Sequence, residues 1–112
     1  MKYARSRYTL GQTWEAGSGL LVNTLSGAVD ETRPEVVDFV RSHAAVDESS
    51  PDAPAELLST LVQRGYYVES PAVEEQVARW LLTKARQRAA EQRPPKYVFS
   101  LTLRCNLRCG YC

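Results

Sequence analysis

The stretch LLVNTLSGAVDETRPE, residues 20–35, decides the fold. Its apolar run, Leu20–Leu25, precedes Ser26-Gly27, a pair that favours a tight turn, and the turn is followed by Ala28–Thr32. Two short strands joined by such a turn predict a hairpin. Because Ser6–Trp14 is also rich in strand-forming residues, we expect three antiparallel strands with one buried face.

The first helix is predicted to begin at the end of this stretch. Thr32 and Glu35 have the spacing of a capping box, in which each side chain accepts a free backbone N–H. Pro34 suits the first turn, where its missing N–H does no harm. The apolar face of this helix is formed by Val36, Val37, Val40 and Ala44.

Two further helices are predicted downstream. The polar loop Asp47–Pro54 leads into a helix over about Pro54–Arg64, which Gly65 can end because glycine tolerates a left-handed cap. Tyr66–Ser70 is expected to form a short strand, and its last residue caps a third helix that runs to about Gln92. The predicted apolar faces are Leu57, Leu58, Leu61 and Val62 in the second helix, and Val73, Val77, Trp80 and Leu81 in the third.

Composition and charge disfavour nucleic-acid-binding, membrane-spanning and secreted proteins. The 112 residues are 44% hydrophobic and carry a formal net charge of +1, which fits one ordinary domain without a nucleic-acid partner. No apolar run is long enough to span a bilayer, and the N-terminus lacks the apolar stretch of a secretory signal. We therefore expect a cytoplasmic protein without a membrane partner, in which cysteines are thiols or metal ligands rather than disulfides.

The cysteines are clustered at the end of the sequence, in CNLRCGYC. Cys105, Cys109 and Cys112 follow an apolar, strand-like run, Lys96–Arg104. A structural zinc ion usually takes four protein ligands, and an ordinary ferredoxin cluster takes four cysteines. Three thiolates therefore suit a [4Fe–4S] cluster with one iron left free. A zinc-binding loop completed elsewhere, or cysteines clustered by chance, are the alternatives.

This motif resembles the CxxxCx-aromatic-C signature of the radical SAM enzymes, with Tyr111 as the aromatic residue. The resemblance implies that Cys105, Cys109 and Cys112 each bind one iron and that S-adenosylmethionine chelates the fourth. Tyr111 would help to shape the adenine pocket, and Lys96–Arg104 would be the first strand of a (β/α) barrel. It also implies an electron donor such as flavodoxin or ferredoxin, and a deoxyadenosyl radical that takes a hydrogen atom from the substrate.

The N-terminal part is similar to the front end of peptide-modifying radical SAM enzymes, many of which carry a SPASM region with auxiliary clusters. Its strands and helices resemble the RiPP recognition element, a small winged-helix-like domain that binds the leader of a ribosomally made precursor peptide. The resemblance implies that the leader adds a strand at Ala28–Thr32, opposite the second helix. The implied contact residues are Ala28, Val29, Asp30, Glu31, Leu57, Leu61 and Arg64.

The expected architecture is α+β: a three-stranded antiparallel sheet with about three helices, then the start of a barrel. Residues 1–70 form the recognition-element-like domain, 71–95 a linker helix and 96–112 the beginning of the radical SAM domain. Because the rest of a barrel does not follow Cys112, we expect the chain to be the N-terminal part of a longer enzyme and inactive alone. The alternatives are a non-catalytic peptide-binding or scaffolding domain, a radical SAM enzyme with a non-peptide substrate, and a winged-helix DNA-binding regulator, which the acidic central helices disfavour.

Overall fold

The computed structural model describes residues 1–92, which form an α+β domain of three helices and two three-stranded antiparallel sheets. The predicted α+β class is therefore confirmed, whereas the predicted barrel strand lies outside the described residues. In chain order the elements are β1 (Lys2–Arg5), β2 (Thr9–Thr13), β3 (Gly19–Asn23), β4 (Val29–Thr32), α1 (Pro34–Ser42), β5 (Ala45–Asp47), α2 (Ala55–Gln63), β6 (Tyr67–Val68) and α3 (Pro71–Glu91).

The predicted three-stranded sheet is confirmed as β2-β3-β4, with both pairs antiparallel. Helix α1 covers its inner face, and two strand glycines permit a close approach. A Cβ at Gly19 would lie 2.6 Å from Cγ2 of Val37, and one at Gly11 would lie 2.9 Å from Cγ1 of the same residue. Val37 is fully buried between these positions, which fixes how closely α1 packs on the sheet.

The predicted start of the first helix is wrong by one residue. Arg33 is the N-cap and makes no capping hydrogen bond through its side chain, while Thr32 is the last residue of β4, paired with Gly19. A proline keeps the residue before it extended, so Pro34 places the cap at Arg33 and leaves Thr32 in the strand. The capping box is therefore not formed. Ala44 also lies beyond the helix and is exposed, whereas the three valines are buried as predicted.

A second sheet, with strand order β5-β1-β6, was not predicted as a sheet. Strand β1 lies at its centre, and Tyr3 pairs with Val46 of β5. No strand was predicted at β5, and a loop was expected from Asp47 onward. Tyr67 of β6 pairs with Arg5 on the other side, so the short strand expected at Tyr66–Ser70 is confirmed. The N-terminus is thus held between two segments distant in sequence.

The core lies between the two sheets, α1 and α2. Leu58 and Leu61 of α2 are buried and Leu57 and Val62 pack partly against them, as predicted. Gly65 has a φ of +87° and ends the helix, which lets the N–H of Tyr66 donate to the carbonyl of Leu61 at 2.9 Å. The buried hydrophobic residues are Tyr3, Leu21, Ala28, Val36, Val37, Val40, Val46, Ala53, Leu58, Leu61, Tyr66 and Tyr67.

Helix α3 begins as predicted but is largely exposed. Ser70 caps it by accepting the N–H of Val73 at 3.4 Å, and Pro71 occupies the first helical position. Glu74 is the buried residue of this helix, and Trp80 on the predicted apolar face is 59% exposed. In this domain α3 is therefore attached near its N-terminal end, and its apolar face stays open.

Candidate peptide-binding edge

Strand β4 is an edge of its sheet, because within residues 1–92 it pairs only with β3. The N–H of Asn23 donates to the carbonyl of Ala28 at 2.9 Å, which fixes the phase of the ladder. Antiparallel ladders alternate, so Asp30 and Thr32 direct their N–H and C=O groups toward β3. The carbonyl of Ala28 also points to β3, while its N–H donates to Oγ of Ser26. The N–H and C=O groups of Val29 and Glu31 therefore point outward, along the free edge.

The side chains of this edge divide between two faces. Val29, which is 60% exposed, and Glu31 point away from the core, whereas Asp30 is half-buried on the inner face. Ala28 is 5% exposed and belongs to the core. Within β4, Val29 and Glu31 therefore have both an exposed side chain and outward-pointing backbone groups.

On the inner face, Asp30 links β4 to the C-terminal end of α2. Nε of Arg64 donates to Oδ2 of Asp30 at 2.7 Å, and the hydroxyl of Tyr66 lies 2.7 Å from the same oxygen. These two hydrogen bonds, first that of Arg64 and then that of Tyr66, hold the pKa of Asp30 below its usual value. Burial and the neighbouring carboxylate raise the pKa of Tyr66, which stays a neutral donor.

The sequence-predicted contact residues of α2 have different environments. Leu57 is half-buried, and Arg64 remains partly exposed while it holds Asp30. Leu61 is 3% exposed and belongs to the hydrophobic core, so its side chain is not open to a ligand in this structure. The structure brings Asp30 and Arg64 into direct contact, and their roles in peptide binding stay predictions.

A buried polar cluster, which the sequence analysis missed, holds the β3–β4 hairpin beside α3. The side-chain amide of Asn23 donates to Oγ of Ser6 at 3.0 Å and to the carbonyl of Gly65 at 2.8 Å. Its oxygen accepts the N–H groups of Leu25 and Ser26 at the turn. Oγ of Ser6 in turn donates to Glu74 of α3. An asparagine inside an otherwise apolar run, three residues before a Ser-Gly turn, was the available signal.

A cleft of 620 Å³ lies on another side of α2, between that helix and the start of β1. Leu58 and Val62 form part of its apolar wall, and Tyr3 and Glu48 form its polar side. Glu48 accepts the Tyr3 hydroxyl at 2.8 Å and the terminal amine of Met1 at 3.2 Å. These contacts, led by that of Tyr3, lower the pKa of Glu48, and each of its two oxygens accepts one hydrogen bond.

The predicted iron ligands, Cys105, Cys109 and Cys112, and the predicted cofactor-binding residue Tyr111 lie outside the described residues. Within residues 1–92, no three His, Cys, Asp or Glu side chains are grouped as a metal site requires. His43 lies at the end of α1, where its ring stacks on Phe39 with centroids 4.4 Å apart.

Comparison with protein-family models, curated proteins and solved structures finds no match for this chain. None of the helices in the described part is both long enough and apolar enough to cross a bilayer.

Proposed function

We propose that the chain is the N-terminal part of a cytoplasmic radical SAM peptide maturase, with a winged-helix-like leader-binding domain. The observation that carries the leader-binding part of this proposal is the free edge of β4, where the backbone groups of Val29 and Glu31 point outward next to exposed side chains. Strand addition takes its affinity from such backbone groups and its selectivity from the side chains beside them. A leader of a ribosomally made precursor peptide is a suitable occupant, because an unstructured peptide can adopt the extended conformation.

The neighbourhood of the edge supports peptide capture rather than sheet-to-sheet aggregation. The free edge is short, with the charged side chain of Glu31 beside it, and such features discourage pairing with arbitrary chains. The bond between Asp30 and Arg64 ties the strand to α2, so the edge is already ordered before a peptide arrives. Pre-ordering reduces the entropy that binding must overcome.

The catalytic part of the proposal rests on the cysteine motif. Three thiolates, from Cys105, Cys109 and Cys112, are a donor set that fits a [4Fe–4S] cluster with one iron left for S-adenosylmethionine. When bound, this pair supplies reductive cleavage of the sulfonium and hydrogen abstraction from the peptide, with electrons from a flavodoxin or ferredoxin. The role of the chain is to bind the cluster through those thiolates, to shape the adenine pocket with Tyr111, and to hold the leader nearby.

Calorimetry with the leader encoded beside the gene tests the peptide-binding part. We expect micromolar or tighter binding to the 112-residue chain, and loss of binding when a proline replaces a leader residue that donates to β4. A proline at a leader position whose N–H points to solvent is the matched control, and it should leave affinity nearly unchanged. Absence of binding at high micromolar concentration would overturn leader recognition by this domain.

A second candidate function, a scaffold for another domain, is favoured by the open face of α3. Val73, Val77 and Trp80 are 56%, 44% and 59% exposed, and exposed apolar groups of this kind mark contact surfaces. In that case the domain packs against the catalytic part, and the enzyme acts on a peptide or on another substrate without leader binding here. Failure of the calorimetric test, together with retained cluster binding, would favour this function.

A further inference from the structure

The outer face of the β2-β3-β4 sheet carries two rows of side chains that end at the free edge. The strand registers align Leu10 with Val22 and Val22 with Val29, which makes one row apolar. Leu10 and Val29, at its two ends, are 61% and 60% exposed. The neighbouring row consists of Gln12, Leu20 and Glu31, so it ends in a carboxylate.

From these rows we propose a sequence preference for the added strand, an inference that rests on the proposed leader binding. A strand paired with β4 extends each row by one residue, because directly opposed side chains on one face are neighbours. The residue opposite Val29 extends the apolar row, and an apolar side chain there covers Val29. The residue opposite Glu31 faces a carboxylate, and a lysine or arginine there forms an opposite-charge pair. The two leader positions are separated by one residue, because side chains alternate between faces.

The inner face does not offer a second site for a basic residue. The carboxylate of Asp30 already accepts hydrogen bonds from Arg64 and Tyr66, and the guanidinium of Arg64 balances its charge. Of the two acids in β4, Glu31 is therefore the one whose charge is available to a leader. Its side chain is exposed and makes no salt bridge within residues 1–92.

The orientation of the added strand determines the order of the two residues. Antiparallel pairing is slightly more stable per residue than parallel pairing, and β3 already pairs with β4 in that way. In an antiparallel complex the residue opposite Glu31 precedes the residue opposite Val29 in the leader. The preferred leader pattern is thus a basic residue, any residue, and then an apolar residue.

The test uses three blocked seven-residue peptides and NMR titration of the ¹⁵N-labelled 112-residue chain. The first peptide, Thr-Ser-Lys-Thr-Val-Ser-Thr, contains the pattern, the second has Glu in place of Lys, and the third exchanges Lys and Val. We expect the first to shift the amide signals of Val29 and Glu31 at low-millimolar concentration. Each of the other two should bind about 2- to 5-fold more weakly, as expected for one favourable or unfavourable cross-strand pair.

Variants of the chain complete the test. Glu31→Lys should reverse the preference between the Lys and Glu peptides, whereas Asp38→Lys, the same charge change at an exposed position of α1, should leave it unchanged. Val29→Thr keeps a β-branched residue of similar shape and should weaken binding of the first peptide about threefold. Equal binding of all three peptides, binding of none, or an unchanged preference in Glu31→Lys would overturn the inference.

A parallel titration with the encoded leader separates this inference from the proposed function. If the wild-type chain binds the leader and Glu31→Lys and Val29→Thr bind it equally well, leader recognition stands and the pattern is wrong. If the peptides show the predicted preference but the leader does not bind, the edge specificity stands and the proposed function is wrong.

Discussion

Arg64, just after α2, and Asp30, within the edge strand β4, are joined by a hydrogen bond of 2.7 Å. The two residues lie far apart in the sequence, and the bond connects the helix end to the middle of the strand. Oγ of Ser26 donates to the carbonyl of Arg64 at 2.9 Å and adds a second connection at the turn of the β3–β4 hairpin. The proposed peptide edge is therefore connected at two points to the residue that follows α2.

Replacement of Asp30 by asparagine should destabilise the domain at neutral pH and not in strong acid. The folded state holds the pKa of Asp30 below its value of about 3.9 in an unfolded chain. Its contribution to stability is therefore fully present above that value and is lost as the pH falls through the lower folded value. Thermal unfolding of both proteins should show a constant difference in Tm between pH 5 and pH 8, and a shrinking one below about pH 4. A difference that persists unchanged at pH 2 would contradict the assignment.

Asn23→Ala should reduce the free energy of unfolding by about 2–4 kcal/mol, because buried groups lose their hydrogen-bond partners. Asn23 is 1% exposed, and the carbonyl of Gly65 and the N–H groups of Leu25 and Ser26 all depend on its side chain. Thr24→Ala is the matched control, since Thr24 is exposed and its weak bond to Tyr8 is 3.4 Å long. Urea denaturation measures both, and similar losses in the two variants would refute the role of the polar cluster.

Gly19→Ala should destabilise the domain by about 1–3 kcal/mol, the usual range for overpacking a filled interior. The added methyl would lie 2.6 Å from Cγ2 of Val37, so α1 has to shift away from the sheet. Ser18→Ala, at the preceding residue, is the control and should be nearly neutral. In a double-mutant cycle, Gly19→Ala should cost less stability in a Val37→Ala background than in the wild-type chain, because the methyl group that it would meet is absent. An equal cost of Gly19→Ala in both backgrounds, measured by urea denaturation, would argue against this contact.

Alanine at Cys105, Cys109 or Cys112 should abolish the iron–sulfur centre, because each change removes one proposed iron ligand. The measurement is EPR after anaerobic reconstitution with iron and sulfide and reduction with dithionite, on a chain that includes the barrel this proposal requires. In the unsubstituted protein, S-adenosylmethionine should change the signal. Stoichiometric zinc without a cluster would contradict the iron–sulfur interpretation and leave the peptide edge unaffected.

Local signals in the sequence were sufficient to predict the turns and helix ends that depend only on neighbouring residues. The Ser26-Gly27 turn, the glycine at position 65 and the Ser70-Pro71 start of α3 each act within a few residues, and each is found as predicted. The first helix shows the limit of this reasoning. Two local signals competed there, and the restriction that Pro34 imposes on Arg33 prevailed over the capping box.

Contacts between distant segments could not be predicted in the same way. Strand β1 is four residues long, and its pairing with β5 becomes visible only when the chain has folded back. Asp30 and Arg64 were both identified as candidate peptide contacts, but their pairing depends on how α2 lies against the hairpin. The polar cluster of Asn23, Ser6 and Glu74 likewise joins three separate segments. Sequence patterns therefore located the edge strand, and tertiary structure determined which of its groups are free.

Amide hydrogen exchange at β4, measured by NMR with and without the leader, tests the central claim most directly. The N–H groups of Val29 and Glu31 point outward and should exchange fast in the free chain, whereas those of Asp30 and Thr32 are directed to β3. Addition of leader should slow exchange at Val29 and Glu31 by at least about tenfold, with a much smaller effect at Asp30 and Thr32. Leader binding that leaves Val29 and Glu31 exchanging as fast as before would contradict strand addition at this edge.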